Sequence, residues 1–317
     1  MSRVLLVDID SKIPNLALMK ISAWHKRGGD TVGFDVQNPD TVYISCIFKK
    51  NAEQARGVAT YYPDAEINIG GTGISLTNHL SEDNELLKPD YDLYPSTYSQ
   101  GFTTRGCIRK CPFCVVPEKE GTIREAQHPS EFHDPRFDTC MIMDNNLFAA
   151  PQSWQDGIFS WFSENKIKMM SPQGWDVRLL NEHRATLLKS VKHEGVIHFA
   201  WDTLNTEPQV IRGVELLKDA GFNLKNHKIS FYVLVGFNTT FAQDLYRCRK
   251  LKELGVQAYI MRYKRTRELN ALARWTNNLG LFWSVDFSQT VDGKGSRYRS
   301  SPAKGACRND PIKVLSA

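Results

Sequence analysis

The segment Thr104-Arg-Gly-Cys107-Ile-Arg-Lys-Cys111-Pro-Phe113-Cys114 decides how the chain is read. Three of the seven cysteines fall within eight residues, spaced C-x3-C-x2-C, directly after a β-rich stretch near Phe102–Thr104. An odd cysteine count with such crowding favours a metal or redox site over disulfides. Three thiolates on one loop can hold three corners of a cubane iron–sulfur cluster and leave one iron without a protein ligand. Electron carriers usually close the cluster with four cysteines. An open corner suits direct substrate binding, the logic by which a catalytic zinc keeps an open position. Arg105, Arg109 and Lys110 flank the cysteines and would favour the thiolate form. The competing assignment is a structural zinc loop with His128 or Cys140 as fourth ligand. Zinc motifs usually come as paired sets, and no second pair is present.

Working outward, β signals recur at Thr139–Met143, Ile167–Met170, Val196–Trp201, Ile229–Val235 and Gln257–Met261. Amphipathic helices are expected between them. Val210, Val214 and Leu217 share one face that stops at Gly221; Phe241, Leu245, Cys248 and Leu251 share another that stops at Gly255. Cys140 and Cys248 are expected in the core. Six βα units predict a partial (β/α)6 TIM-type barrel over 100–290, with its reactive groups at the C-terminal strand ends. Asp144-Asn145-Asn146, Gln173-Gly-Trp-Asp176-Val-Arg178, Trp201-Asp202-Thr203 and Val233-Leu-Val-Gly236 occupy those ends. For Asp176 and Asp202 a helix cap is an equally good assignment.

Ahead of the barrel, residues 1–80 alternate strand and helix signals and predict a Rossmann-like parallel sheet, so the fold class is α/β throughout. Val4–Val7 is the first strand, and Ser11 with Pro14 marks the start of a helix that ends at Gly28-Gly29. Thr41–Phe48 is a second strand, and Glu66–Ile69 runs into Gly70-Gly71-Thr72-Gly73. His25, beside Lys26 and Arg27, reads as a solvated helix-end residue. The acidic, aperiodic stretch 81–99 reads as a linker between domains, and 291–317 as a flexible basic tail.

The cysteine segment, with Phe113 before the last cysteine, resembles the signature of the radical S-adenosylmethionine (radical SAM) enzymes. The resemblance covers the whole post-linker region. It implies a [4Fe-4S] cluster on Cys107, Cys111 and Cys114, with SAM chelating the open iron and one electron releasing a 5′-deoxyadenosyl radical. It implies SAM contacts from Phe113, from Asp144, Asn145 and Asn146 in place of a Gly-Gly-Glu-like segment, and from Gln173, Asp176, Arg178, Asp202 and Gly236. A reducing partner such as flavodoxin or ferredoxin is implied as well.

The first lobe is similar to the cobalamin-binding domain of one branch of that family. The branch's Asp-x-His-x-x-Gly is missing, because the corresponding loop reads Asp8-Ile-Asp10-Ser-Lys-Ile-Pro-Asn15. Either the lobe holds cobalamin without that histidine, as in a cobalamin-dependent methyltransferase, or the cofactor has been lost and the lobe serves substrate or docking; loss is favoured. Methylthiotransferases carry three further lobe cysteines where this lobe has only Cys46. A non-enzymatic zinc or iron–sulfur module is the alternative of another class.

The remaining composition is ordinary. With 317 residues, 41% hydrophobic and 24% charged, the chain can bury a large core and is not a disordered or collagen-like polymer. No apolar run approaches a membrane span, and the first residues are too weakly apolar for a signal peptide, so a cytoplasmic protein without membrane contact is expected. The net charge of +5 sits mostly in 291–317, which holds six basic and two acidic residues. No nucleic-acid-binding face is therefore expected on the folded body.

Overall fold

The computed structural model describes residues 1–290; the basic tail expected over 291–317 lies outside the described residues. The chain is mixed α/β, and compactness divides the described residues at Asp144/Asn145 rather than within 81–99.

In the first unit, β1 (Arg3–Asp8), β2 (Thr31–Gly33), β3 (Thr41–Ser45) and β4 (Glu66–Gly70) form an all-parallel open sheet in the order β2-β1-β3-β4. Val4 and Leu6 pack on one face with Leu18 and Ile21, while Leu5, Val42 and Ile44 pack on the other with Ala55. That alternation explains why a continuous apolar strand is stable here: both faces are covered, by α1 (Leu16–Arg27) and α2 (Ala52–Ala59).

Two sequence expectations change in this unit. The cap of α1 is Asn15, whose side chain accepts the Leu18 amide at 3.1 Å, not Ser11. His25 is buried, not solvated, and sits between Asp30 Oδ2 at 2.8 Å and the Tyr43 hydroxyl at 3.3 Å. The glycine turn packs against protein: a Cβ on Gly71 would stand 2.3 Å from the Cys46 carbonyl oxygen, and one on Gly73 2.7 Å from Phe48 backbone.

The stretch 81–99 is pinned rather than loose. It contains the short α3 (Glu82–Glu85), and Asp90 accepts from the Ser22 hydroxyl at 2.6 Å and from Lys26 Nζ at 2.7 Å. The Tyr94 hydroxyl donates to Asp8 Oδ2 at 2.6 Å, and the buried Tyr91 hydroxyl donates to the Phe132 carbonyl at 2.8 Å.

The first unit continues through β5 (Ser99–Gly101), β6 (Thr104–Arg105), α4 (Val116–Lys119), β7 (Arg124–Glu125), α5 (Pro129–Phe132) and β8 (Thr139–Ile142). β5 pairs with β8 in parallel, and β6 pairs with β7 antiparallel. The strand expected near Phe102–Thr104 thus begins at Ser99. Its residues are wholly buried without being apolar, and a Cβ on Gly101 would stand 2.6 Å from the Phe132 ring, so hydrophobic pattern does not reveal it.

The second unit repeats strand and helix: α6 (Gln152–Glu164), β9 (Lys168–Met170), α7 (Glu182–Ser190), β10 (Ile197–Ala200), α8 (Glu207–Asp219), β11 (Ile229–Val235), α9 (Phe241–Glu253), β12 (Gln257–Arg262), α10 (Arg267–Thr276) and α11 (Leu279–Ser284). β10, β11 and β12 are parallel neighbours, and parallel bridges Met169–His193 and Trp175–Phe199 continue the pattern. Phe199, Phe231, Val233, Ala258 and Ile260 are buried on one side of this sheet. Burying each large apolar side chain contributes roughly 1.5–3 kcal/mol, which is what holds the helices to it. α9 departs from expectation: its buried face carries Asp244 and Arg247 beside Cys248 and Leu251, while Phe241 and Leu245 are only half-buried.

Candidate functional site

The cysteine segment is the loop of a two-stranded hairpin. Gly106 leaves β6 with φ +81°, and a Cβ there would meet the Thr122 carbonyl oxygen at 2.2 Å, so only glycine fits. The Cys107 amide donates to the Gly121 carbonyl at 3.2 Å, which closes the base of the loop. Inside it, the Cys114 amide donates to the Cys111 carbonyl at 3.0 Å and the Arg109 amide donates to Cys107 Sγ at 3.3 Å. Cys107 and Cys111 are half-buried, Cys114 is exposed and Phe113 is half-buried beside it. The donor set fits an iron–sulfur cluster: three thiols on one accessible loop, with an amide already directed at a sulfur. Among the described residues no three His, Cys, Asp or Glu side chains are gathered at metal-binding distance.

Two neighbours behave differently from expectation. Arg105 does not face the sulfurs: it bonds Glu85 at 2.7 Å and Glu120 at 3.3 Å, and its guanidinium lies 3.8 Å from the Phe102 ring centre. Asp144 turns towards the segment preceding the cysteines. Its carboxylate accepts the Thr103 amide at 2.6 Å, the Thr104 hydroxyl at 2.9 Å and the Thr103 hydroxyl. Burial raises its pKa to about 6 against those hydrogen bonds. Asp144 therefore fixes the start of the cysteine loop, a role nothing in its own sequence neighbourhood signals.

The other possible zinc ligands are committed elsewhere. His128 caps α5, accepting the Ser130 amide at 3.4 Å. Cys140 is buried in β8, and burial pushes its thiol pKa well up. In the lobe, Asp8 takes Ser11 and Tyr94, while Asp10 takes the amides of Ile47 at 2.7 Å and Phe48 at 3.0 Å and the Asn51 side chain at 2.8 Å. The residues of this loop supply no Asp–His pair for cobalt, so they do not fit cobalamin in the branch's usual manner.

In the second unit four of the expected polar residues gather at the ends of parallel strands. Asn146 donates to Asp176 Oδ2 at 3.4 Å. Arg178 grips Asp176 with Nε at 2.6 Å and a terminal nitrogen at 3.1 Å. Asp176 also caps the turn Val177–Leu179, so the capping assignment and the charged cluster are both realised there. Asp202 is no cap: it accepts the Leu234 amide at 3.3 Å, and burial raises its pKa against the nearby Arg247 and Arg178 charges. Gln173 is half-buried on the segment where the Pro172 carbonyl accepts the Tyr232 hydroxyl at 2.8 Å. Asn145 is half-buried at the start of this unit. Gly236 has φ +77°, and a Cβ on it would meet Leu269 Cδ1 at 2.7 Å.

Two features escape sequence reasoning. The wholly buried Arg247 donates to the Trp201 carbonyl at 2.6 Å, the Leu234 carbonyl at 2.8 Å and Asp244 at 2.6 Å, while Asp244 accepts the Gly236 amide at 3.0 Å. This i,i+3 pair thus ties the C-terminal ends of β10 and β11 together. The only sequence signal is D-x-x-R on an otherwise core-facing helix. His198, Tyr232 and Tyr259 also cluster, with His198 stacked on Tyr232 at 4.3 Å.

A scan against protein-family models found no match, and a search of curated proteins found none either. Among the described residues no helix is long and apolar enough to cross a membrane.

Proposed function

We propose that the chain is a radical SAM enzyme: Cys107, Cys111 and Cys114 hold a [4Fe-4S] cluster, and residues 100–290 form a partial (β/α)6 barrel around it. The observation that carries this reading is the C-x3-C-x2-C loop at the tip of a glycine-hinged hairpin that follows a parallel strand. When bound and reduced, the cluster supplies the electron that cleaves SAM to a 5′-deoxyadenosyl radical, the hydrogen-abstracting species.

The chain's own residues orient and shield. Gly106 and Gly121 set the loop, and Asp144 holds Thr103 and Thr104 before it. Asp176, Arg178 and Asn146 form a charged and amide-bearing patch suited to the zwitterionic head of an amino-acid-like ligand, since a carboxylate pairs well with a guanidinium. Asp202, which accepts the Leu234 amide, and Gly236, whose amide donates to Asp244, line the neighbouring strand ends. The reducing partner is a flavodoxin or ferredoxin, and the compartment is the cytoplasm. The substrate stays open between small molecule and macromolecule.

The deciding experiment is anaerobic reconstitution with iron and sulfide, followed by SAM and dithionite. Near four irons per chain and 5′-deoxyadenosine formation are expected, both lost in Cys111→Ala. Bound zinc without iron or sulfide, and no 5′-deoxyadenosine, would leave a binding module in place of an enzyme.

A further inference from the structure

Within the first unit, a cavity of about 650 Å³ opens beyond the C-terminal ends of β1, β3 and β4. In the order β2-β1-β3-β4 the chain moves to one side of β1 for β2 and to the other for β3, so the crevice at β1 and β3 is the topological switch point where open parallel sheets take ligands. Its size is that of a drug-like molecule. Ile13, Ile47, Phe48 and Ile69 give it an apolar wall.

Its charged wall is unbalanced. Lys20, Glu85, Arg105, Glu120 and Lys119 all line the cavity and form an open chain of ion pairs: Lys20–Glu85 at 3.5 Å, Glu85–Arg105 at 2.7 Å, Arg105–Glu120 at 3.3 Å and Glu120–Lys119 at 3.8 Å. Three cations share two carboxylates, and Lys12 adds a further cation to the lining. Burial pushes the Lys20 amine down to about 8 and lowers Lys119 as well, against the opposing pull of Glu85 and Glu120. Lys119 Nζ at the end of the chain donates to the Thr72 hydroxyl at 2.9 Å, which leaves that hydroxyl's own proton to donate onward.

We infer that this cavity binds a small organic anion, with an apolar body against Ile47, Phe48 and Ile69 and one carboxylate or phosphate group at Lys119 and Thr72. The inference is independent of the cluster chemistry, because every residue it uses belongs to the lobe and the hairpin flank. Charge excess, burial and an apolar wall together favour such an anion over a neutral molecule of equal shape.

The test is equilibrium dialysis of the full chain, cluster-loaded and unloaded, against three probes of one shape: 1-naphthaleneacetate, its neutral amide and 1-naphthyl phosphate. Saturable binding of one acid probe per chain is expected, with the amide weaker by about tenfold, the usual worth of a charge-assisted hydrogen bond. Preference for the phosphate over the acetate would assign a phosphorylated ligand, and the reverse a carboxylic acid. Lys119→Gln should bring the acid probes down to the level of the amide. Glu120→Gln should strengthen acid binding several-fold, a gain that misfolding cannot mimic. Equal binding of acetate and amide, indifference of the acid probes to both substitutions, or no saturable binding at millimolar probe would overturn the inference. Loss of SAM cleavage with intact probe binding would count against the proposed enzyme and leave the cavity assignment standing.

Discussion

The Asp144 carboxylate at the end of β8 accepts the Thr104 hydroxyl of β6 at 2.9 Å, across 40 residues of sequence. One carboxylate thereby fixes where the cysteine loop begins. Because burial raises its pKa to about 6, the folded state binds its proton more tightly than the unfolded state does. Its contribution to stability is therefore fully favourable below pH 4 and declines as pH rises from about 4 to 6. Asp144→Asn should remove that decline, on the order of 2 kcal/mol, from urea-unfolding free energies measured between pH 4 and 7. A retained slope would assign the titration to another group. The same substitution should lower iron content on reconstitution, since asparagine cannot accept from all three donors.

Gly106→Ala is expected to cost about 2 kcal/mol or more, because the new Cβ would enter the Thr122 carbonyl and alanine resists a φ of +81°. The loss should appear as a lower unfolding midpoint together with reduced cluster loading. A Gly121→Ala change, with φ +72° but nothing near its Cβ, should cost less and keep more iron.

Arg247→Met should destabilise by about 3–5 kcal/mol, since it strands the buried Asp244 charge. Asp244→Leu combined with Arg247→Met should recover part of that loss. Chemical denaturation of the single and double variants gives the coupling directly, and additivity of the two single losses would refute a working pair.

At Gly236, alanine should destabilise through both the left-handed backbone and the 2.7 Å approach to Leu269. Adding Leu269→Ala relieves only the second problem. A partial rescue of the thermal midpoint by the double substitution is the expected result, and a full rescue would show that backbone strain is immaterial there.

What the sequence discloses follows from what kind of force shapes each element. Helix ends at Gly28, Gly221 and Gly255 are legible because glycine marks a change of backbone, and the cysteine loop because three cysteines crowd into eight residues. β11 is legible because its apolar run is buried along its length. β2, of three residues, carries too short a pattern to register. β5 is held by the absence of side chains at Gly101 and by polar residues with buried partners, so hydrophobicity is silent. His25, Asp244 and Arg247 mislead in the opposite sense: charge or polarity suggests solvent, and only the fold reveals the partners that make burial tolerable. At the candidate site the cysteines are named by their spacing, whereas the supporting role of Asp144 depends on two threonines far away in the chain.

Tyr91, Tyr94 and Asp90 also bear on how such a protein can be inherited. Recombination at the compositional boundary near residue 80 or 100 would part Tyr94 from Asp8 or Tyr91 from Phe132, and a transplanted lobe would arrive with buried hydroxyls facing strangers. The smallest module that could travel between proteins with its partners aboard runs from the first strand through Asp144, so the lobe and the cysteine hairpin are expected to share one evolutionary history.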